Sequence, residues 1–189
     1  MGATAVILDP SATLTRITSL HDQISNTLST SLGKWAFEYK LFRENPASAG
    51  TSSSASPSSS FLYTLNFSQY PGDLFVLTNG TGVVMQGDFD SVLTTKLQSL
   101  WLPRQTIKAE GNAYQLQSGD FVFRTANLFL QGSFKGLVVQ IEYTKECDDA
   151  EAIAKINEIL ANYELEYSNA KVGRTRMESA WQFVETISK

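Results

Sequence analysis

Few side chains in this 189-residue sequence could carry out covalent or metal chemistry, and their spacing limits what each could do. There is one histidine, His21, and one cysteine, Cys147. A histidine can act as a general base or a metal ligand. Nothing near His21 in sequence supplies a partner, and its place on an apolar helical face predicts a packed or surface side chain. Cys147 precedes a predicted helix start, where the helix dipole could lower a thiol pKa, but the one histidine able to activate it is far off in sequence. Zinc takes several Cys or His ligands, and one of each is too few. Asp88 with Asp90, and Glu146 with Asp148 and Asp149, could hold a hard cation. Acidic residues at solvated helix starts explain both groups. No Gly-x-x-x-x-Gly-Lys loop is present, and Gly80-Thr81-Gly82 falls in a hairpin rather than ahead of a helix. The sequence therefore predicts no catalytic, cofactor-binding or metal-binding residue.

One enzymatic alternative, a ligand-binding or triphosphate-processing β-barrel, has a sequence test. Triphosphate tunnel enzymes are closed antiparallel barrels with Glu-x-Glu-x-Lys on a lumen strand, coordinating metal and phosphate. The nearest match, Glu164-Leu165-Glu166-Tyr167-Ser168, lacks the lysine and follows a predicted helix. Leu137, Val139, Ile141 and Tyr143 present apolar groups where a tunnel needs alternating charges.

The elements that would position these groups follow from periodicity. Ala3 to Leu8 is an apolar run of strand length. Asp9 can cap a helix with Pro10 at its first position, and Leu14, Ile17, Leu20, His21, Ile24 and Leu28 predict a helix over 11–30 that Gly33 ends. Trp35, Phe37, Tyr39 and Leu41 alternate with Ala36, Glu38 and Lys40, a half-buried strand. Residues 45–60 are low in complexity and have little to bury, which predicts a flexible serine-rich loop; Ser56-Pro57 within it could be phosphorylated. Phe61 to Phe67 alternate again, Tyr70 to Asp73 form a turn, and Asn79-Gly80 joins two strands as a hairpin.

A helix over roughly 90–100 is expected to stop at Pro103. Strands follow at Arg104 to Glu110, Tyr114 to Gln117, Phe121 to Leu130 and Phe134 to Tyr143, separated by Gly111, Gly119 and Gly132. Two helices end the chain, one led by Asp148-Asp149 and one docked through Trp181. The predicted fold class is α+β: one domain over 1–189, with an antiparallel β-barrel-like sheet of about eight strands and helices packed in or against the barrel.

Composition narrows the partners. Acidic residues outnumber basic ones, 19 to 15. Without a Lys/Arg run, the chain has no cations to neutralise phosphates or to dock on an anionic membrane. It is expected to bind neither nucleic acid directly nor a membrane. One cysteine excludes an internal disulfide framework. The N-terminal apolar run is too short for a signal peptide, which predicts an intracellular protein. The aromatic hairpin is the candidate partner surface. Phe121, Phe123, Phe129 and Phe134 crowd it, Leu130 has the opposite parity, and strands apolar on both faces need cover on both.

An ordered series of residues also resembles subunit 20 of the fungal Mediator complex, the transcriptional co-activator that bridges regulators and RNA polymerase II. The series starts with Met1 to Val6, then Leu62-Tyr63 and Gln69-Tyr70-Pro71. It continues at Phe89-Asp90, Lys96-Leu97, Trp101, Arg104-Gln105, Ile107-Lys108, Gly111, Asn127-Leu128-Phe129 and Phe134 to Tyr143, and closes with Trp181-Gln182-Phe183. The resemblance implies a barrel-like fold and a nuclear, non-catalytic head-module subunit acting in pre-initiation complex assembly. It implies a heterodimer with subunit 18, tethered by the C-terminal helix of subunit 8 through subunit 18. It further implies links to the TATA-binding protein and RNA polymerase II.

Overall fold

The computed structural model describes residues 2–27, 29–47 and 60–188, so most of the serine-rich loop, Ser56-Pro57 included, lies outside the described residues. Among them are eight strands and four α-helices. The strands are β1 (Ala3–Asp9), β2 (Ser29–Glu44), β3 (Phe61–Phe67), β4 (Asp73–Thr78), β5 (Thr81–Gln86), β6 (Trp101–Leu116), β7 (Phe121–Leu130) and β8 (Ser133–Tyr143). The helices are α1 (Leu14–Asn26), α2 (Phe89–Thr95), α3 (Asp149–Ala161) and α4 (Arg176–Ile187). The strands form one antiparallel sheet in the order β1-β8-β7-β6-β2-β3-β4-β5. The α+β class and the strand number agree with the sequence pattern. The backbone divides into two compact units, residues 1–36, 109–129 and 133–189, and residues 37–108 with 130–132, so that β2, β6 and, through its last residue, β7 contribute to both.

In the first unit β8 is buried almost throughout, from Gly136 to Ile141. Its register with β1 pairs Ala3 with Tyr143, Ala5 with Ile141 and Ile7 with Val139. Paired residues share a face, and this face packs against Ile17, Leu20 and Ile24 of α1 and Ala152, Ile156, Ile159 and Leu160 of α3. The other parity meets α4: Gln140 reaches Ser179 at 3.5 Å, and Gln182 donates to the Thr4 carbonyl. A strand apolar on both sides is thus covered on both sides by the chain's own helices.

The helix ends differ from the sequence reading for identifiable reasons. Asp9 does not cap α1; its carboxylate accepts from Ser11 N–H and Oγ, closing a local turn. The cap is Thr13, whose Oγ1 accepts from Arg16 N–H. The helix ends at Asn26, Thr27 donates to the Ile24 carbonyl, and β2 has begun by Ser29. Gly33, expected to end the helix, lies within that strand. Asp148 does cap α3, accepting from Glu151 N–H at 2.8 Å. The buried face of α4 is Ser179, Ala180, Phe183 and Val184; Trp181 is only half-buried, and Phe183 rather than Trp181 seats the helix, 6.1 Å from the Trp35 ring.

Gly111 is likewise no turn. Trp101–Leu116 is a single strand, and Gly111 sits where β7 comes closest: a Cβ there would stand 1.8 Å from the Thr125 carbonyl oxygen. Glycine is required by this approach, not by a change of chain direction.

In the second unit Asn79 and Gly80 take positive φ, 48° and 77°, and close the β4–β5 hairpin between Thr78 and Thr81 as its sequence predicts. The unbroken register Phe37↔Phe67 to Arg43↔Phe61 sends Tyr39 and Phe42 to opposite faces, and both are fully buried. Phe37, Phe67 and Phe75 pack ring to ring on the first face, 5.7 and 5.6 Å apart. Phe42, Leu62, Leu74 and Val76 meet Leu93 of α2 on the second. α2 is shorter than its apolar spacing suggests. It ends at Thr95 with Lys96 as C-cap, Leu100 is exposed, and Pro103 belongs to β6.

Candidate functional site

The five aromatic and aliphatic candidates of the β7–β8 hairpin separate by depth. Phe121 and Phe123 are core residues, packed on Tyr143 at 4.9 Å and Tyr163 at 5.3 Å. Toward the far end of the hairpin Phe129 is half-buried and Phe134 exposed, and their rings meet edge to face at 6.0 Å. Leu130 is half-buried. Alternation alone cannot separate these groups, because the same hydrophobic parity runs from the helix-covered end of the hairpin to its turn.

The groups with chemical potential stay apart. His21 Nδ1 lies 2.9 Å from the Tyr114 hydroxyl. Burial pushes the His21 pKa below the usual imidazole range, opposed by the nearby Asp22, and burial raises that of Tyr114. Cys147 is half-buried, and its carbonyl accepts from Arg174 Nη2 at 2.8 Å. Asp90 is held by Lys40 Nζ at 2.8 and 3.0 Å, with Glu38 3.2 Å from the same ammonium. Burial works against the Lys40 charge, but these carboxylates outweigh it and raise its pKa. Asp149 is bound by Arg174 at 2.8 Å, and Glu164 lies 3.9 Å from Arg16. No group of three His, Cys, Asp or Glu side chains converges among the described residues. Nor is any described helix long and apolar enough to cross a membrane.

What the sequence did not disclose is a cavity of about 740 Å³ in the first unit, with a lining of mixed polarity. Val6 of β1, the stretch Tyr167 to Arg174, and Glu178, Gln182, Glu185 and Thr186 of α4 line it, with Asp149. It is held in place by a set of main-chain contacts. Thr4 and Gly173 exchange two backbone hydrogen bonds of 2.9 Å. Gln182 Nε2 donates to the Thr4 carbonyl at 2.9 Å and to the Tyr167 hydroxyl at 3.2 Å, and that hydroxyl donates to the Lys171 carbonyl. Asn157 clasps the Tyr167 backbone from α3, accepting from its N–H at 2.8 Å and donating to its carbonyl at 3.1 Å. The one hint in the sequence was Gln182 within Trp181-Gln182-Phe183. Its partners are distant main-chain groups, which no local pattern reveals.

Against known proteins, the family model for the TATA-binding related factor (TRF) of subunit 20 of Mediator complex matches residues 1–188. The Yarrowia lipolytica protein named Mediator of RNA polymerase II transcription subunit 20 is 32% identical, with 94% of each chain covered. Its Debaryomyces hansenii namesake is 35% identical, with 78% of each covered. Among solved structures, a Vibrio parahaemolyticus protein proposed as an adenylate cyclase superposes with a TM-score of 0.51 at 12% identity, covering 100% of this chain and 99% of that one. At that identity the similarity concerns the fold alone.

Proposed function

The chain belongs to the Mediator subunit 20 family, and on that premise we propose that it is a non-catalytic, nuclear subunit of the Mediator head module. In this reading it supports pre-initiation complex assembly by RNA polymerase II through a heterodimer with subunit 18. The C-terminal helix of subunit 8 tethers the pair through subunit 18, and the TATA-binding protein and the polymerase lie beyond. The observation that carries the reading is the family match over nearly the whole chain. The pairing of described carboxylates with cations suits it too, since Asp90 and Asp149 are engaged by Lys40 and Arg174 rather than gathered around a metal-sized space.

We propose part of the partner surface at the outer end of the β7–β8 hairpin, where Phe129 and Phe134 of the first unit retain accessible surface. Phe121 and Phe123 lie in the core at the other end of the hairpin and are not part of that surface. The test is co-expression with subunit 18 followed by size-exclusion chromatography at micromolar concentration. Co-elution is expected; separate elution of the two proteins would end the proposal. Phe134→Glu places a charge on an exposed ring position and is expected to weaken co-elution while leaving the thermal midpoint close to wild type.

The triphosphate-processing alternative has a direct assay. Inorganic triphosphate incubated with the chain and magnesium or manganese is expected to release no phosphate above the buffer rate. Turnover that a single active-site substitution abolishes would displace the assembly reading.

A further inference from the structure

β1 is the last strand at its end of the sheet, and its outer edge is only partly used. Thr4 directs both main-chain groups outward, to Gly173. In an antiparallel pair, successive residues alternately face the partner strand and turn away from it. The β1–β8 register is unbroken from Ala3↔Tyr143 to Asp9↔Leu137. Val6 and Leu8 therefore also turn their N–H and C=O groups away from β8, and among the described residues no backbone segment pairs with them. An unpaired edge of this kind is a template for another strand.

This edge is recessed rather than open. Val6, only 3% exposed, lies on the wall of the 740 Å³ cavity and of a second one of about 410 Å³ that continues past Ile7, Leu8 and Pro10. The two share Val6, Tyr167, Asn169 and Thr186. They form a slot along β1 whose far side is the segment from Glu166 to Arg174. On the same wall Gln182 Oε1 is buried without a hydrogen-bond partner, an acceptor still to be used. The lining carries four carboxylates, Asp149, Glu166, Glu178 and Glu185, against two cations, Lys171 and Arg174. Arg174 is already engaged by Asp149, and Glu178 by the Arg174 N–H. The exposed Glu166 and Glu185, opposed by the exposed Lys171, leave the lining net acidic.

We propose that this slot takes up an extended, basic peptide segment of a partner protein by strand addition. The main chain of the incoming segment pairs with Val6 and Leu8, and its cationic side chains meet Glu166 and Glu185. Strand addition draws affinity from main-chain hydrogen bonds and selectivity from the flanking side chains. The inference does not rest on pairing with subunit 18, since it is read on this chain alone and survives the failure of that pairing.

The test is an amide NMR titration of the whole chain with a synthetic peptide of about eight alternating Lys and Val residues, taken to about 1 mM. The Val6 and Leu8 amides are expected to shift and to exchange more slowly, whereas a matched Glu and Val peptide leaves them unmoved. Glu166→Lys combined with Glu185→Lys is expected to weaken binding about tenfold with an unchanged thermal midpoint. A Lys and Val peptide N-methylated at every residue, which lacks main-chain donors on both edges, tests strand pairing without altering the protein and is expected to lose binding. Unmoved Val6 and Leu8 amides at the highest concentration, equal binding of the acidic peptide, or full affinity of the N-methylated one overturns the proposal.

Discussion

Gln182 of α4 hydrogen-bonds the carbonyl of Thr4 on β1, 2.9 Å away, although 178 residues separate them in sequence. The same amide nitrogen reaches the Tyr167 hydroxyl, so one side chain joins the last helix, the first strand and the connection before that helix. Gln182→Leu removes both donations at similar volume. We expect it to cost about 1–2 kcal/mol, seen as a lower urea midpoint with an unchanged m-value. An unaltered midpoint would show that the amide contributes nothing to holding α4.

Gly111 and Gly33 give a paired test of why glycine occupies a strand. At Gly111 a methyl group would collide with the Thr125 carbonyl at 1.8 Å, and main chain cannot yield as a side-chain tip can. At Gly33 the same methyl group meets nothing within 4 Å, although φ is 97°. Gly33→Ala is expected to cost about 1–2 kcal/mol through backbone strain alone. Gly111→Ala should exceed about 4 kcal/mol or abolish soluble expression. Comparable midpoints for the two variants would refute the account of β6 and β7 as tightly apposed.

Phe183 and Trp181 lie two residues apart on α4 and differ in depth, Phe183 being fully buried and Trp181 half-buried. Phe183→Ala is expected to destabilise by about 3–5 kcal/mol, the usual range for emptying a buried aromatic site. Trp181→Ala should cost distinctly less. Denaturant titration of both variants decides the matter, and the reverse order would restore Trp181 as the anchor.

Local signals made much of the fold legible. The Asn79-Gly80 turn, the helix start at Asp148-Asp149 and the strand over Phe61 to Phe67 each appear where the sequence places them, although Phe61 is exposed and Thr64 buried, against the expected alternation. The errors share a cause. Asp9 is a residue type that starts a helix when read alone, and Gly33, Pro103 and Gly111 are types that stop an element, yet structural context decides their roles. Asp9 closes its own turn on Ser11, and Gly111 clears the Thr125 carbonyl. Apolar parity predicted cover on both faces for the aromatic hairpin, but not that α1 and α3 cover one face of β8 and α4 the other. The slot beside β1 was invisible for the same reason, being walled by main chain from opposite ends of the sequence.

His21 supplies a pH test with a definite sign. Burial at its place beside Tyr114 holds its pKa below the ordinary 6.5, so the folded chain disfavours the imidazolium form. Above about pH 6.5 both folded and unfolded chains carry a neutral His21, and its contribution to stability is fully present. As pH falls below that value the unfolded chain takes up the proton first, and the contribution is lost as pH falls through the lower folded pKa. His21→Gln cannot titrate and still offers the Tyr114 hydroxyl a polar partner. Urea unfolding at intervals from about pH 7.5 to 5 should show wild-type stability falling more steeply than that of His21→Gln. Parallel curves would mean that His21 titrates alike in both states, and the buried His21–Tyr114 contact would lose its energetic meaning.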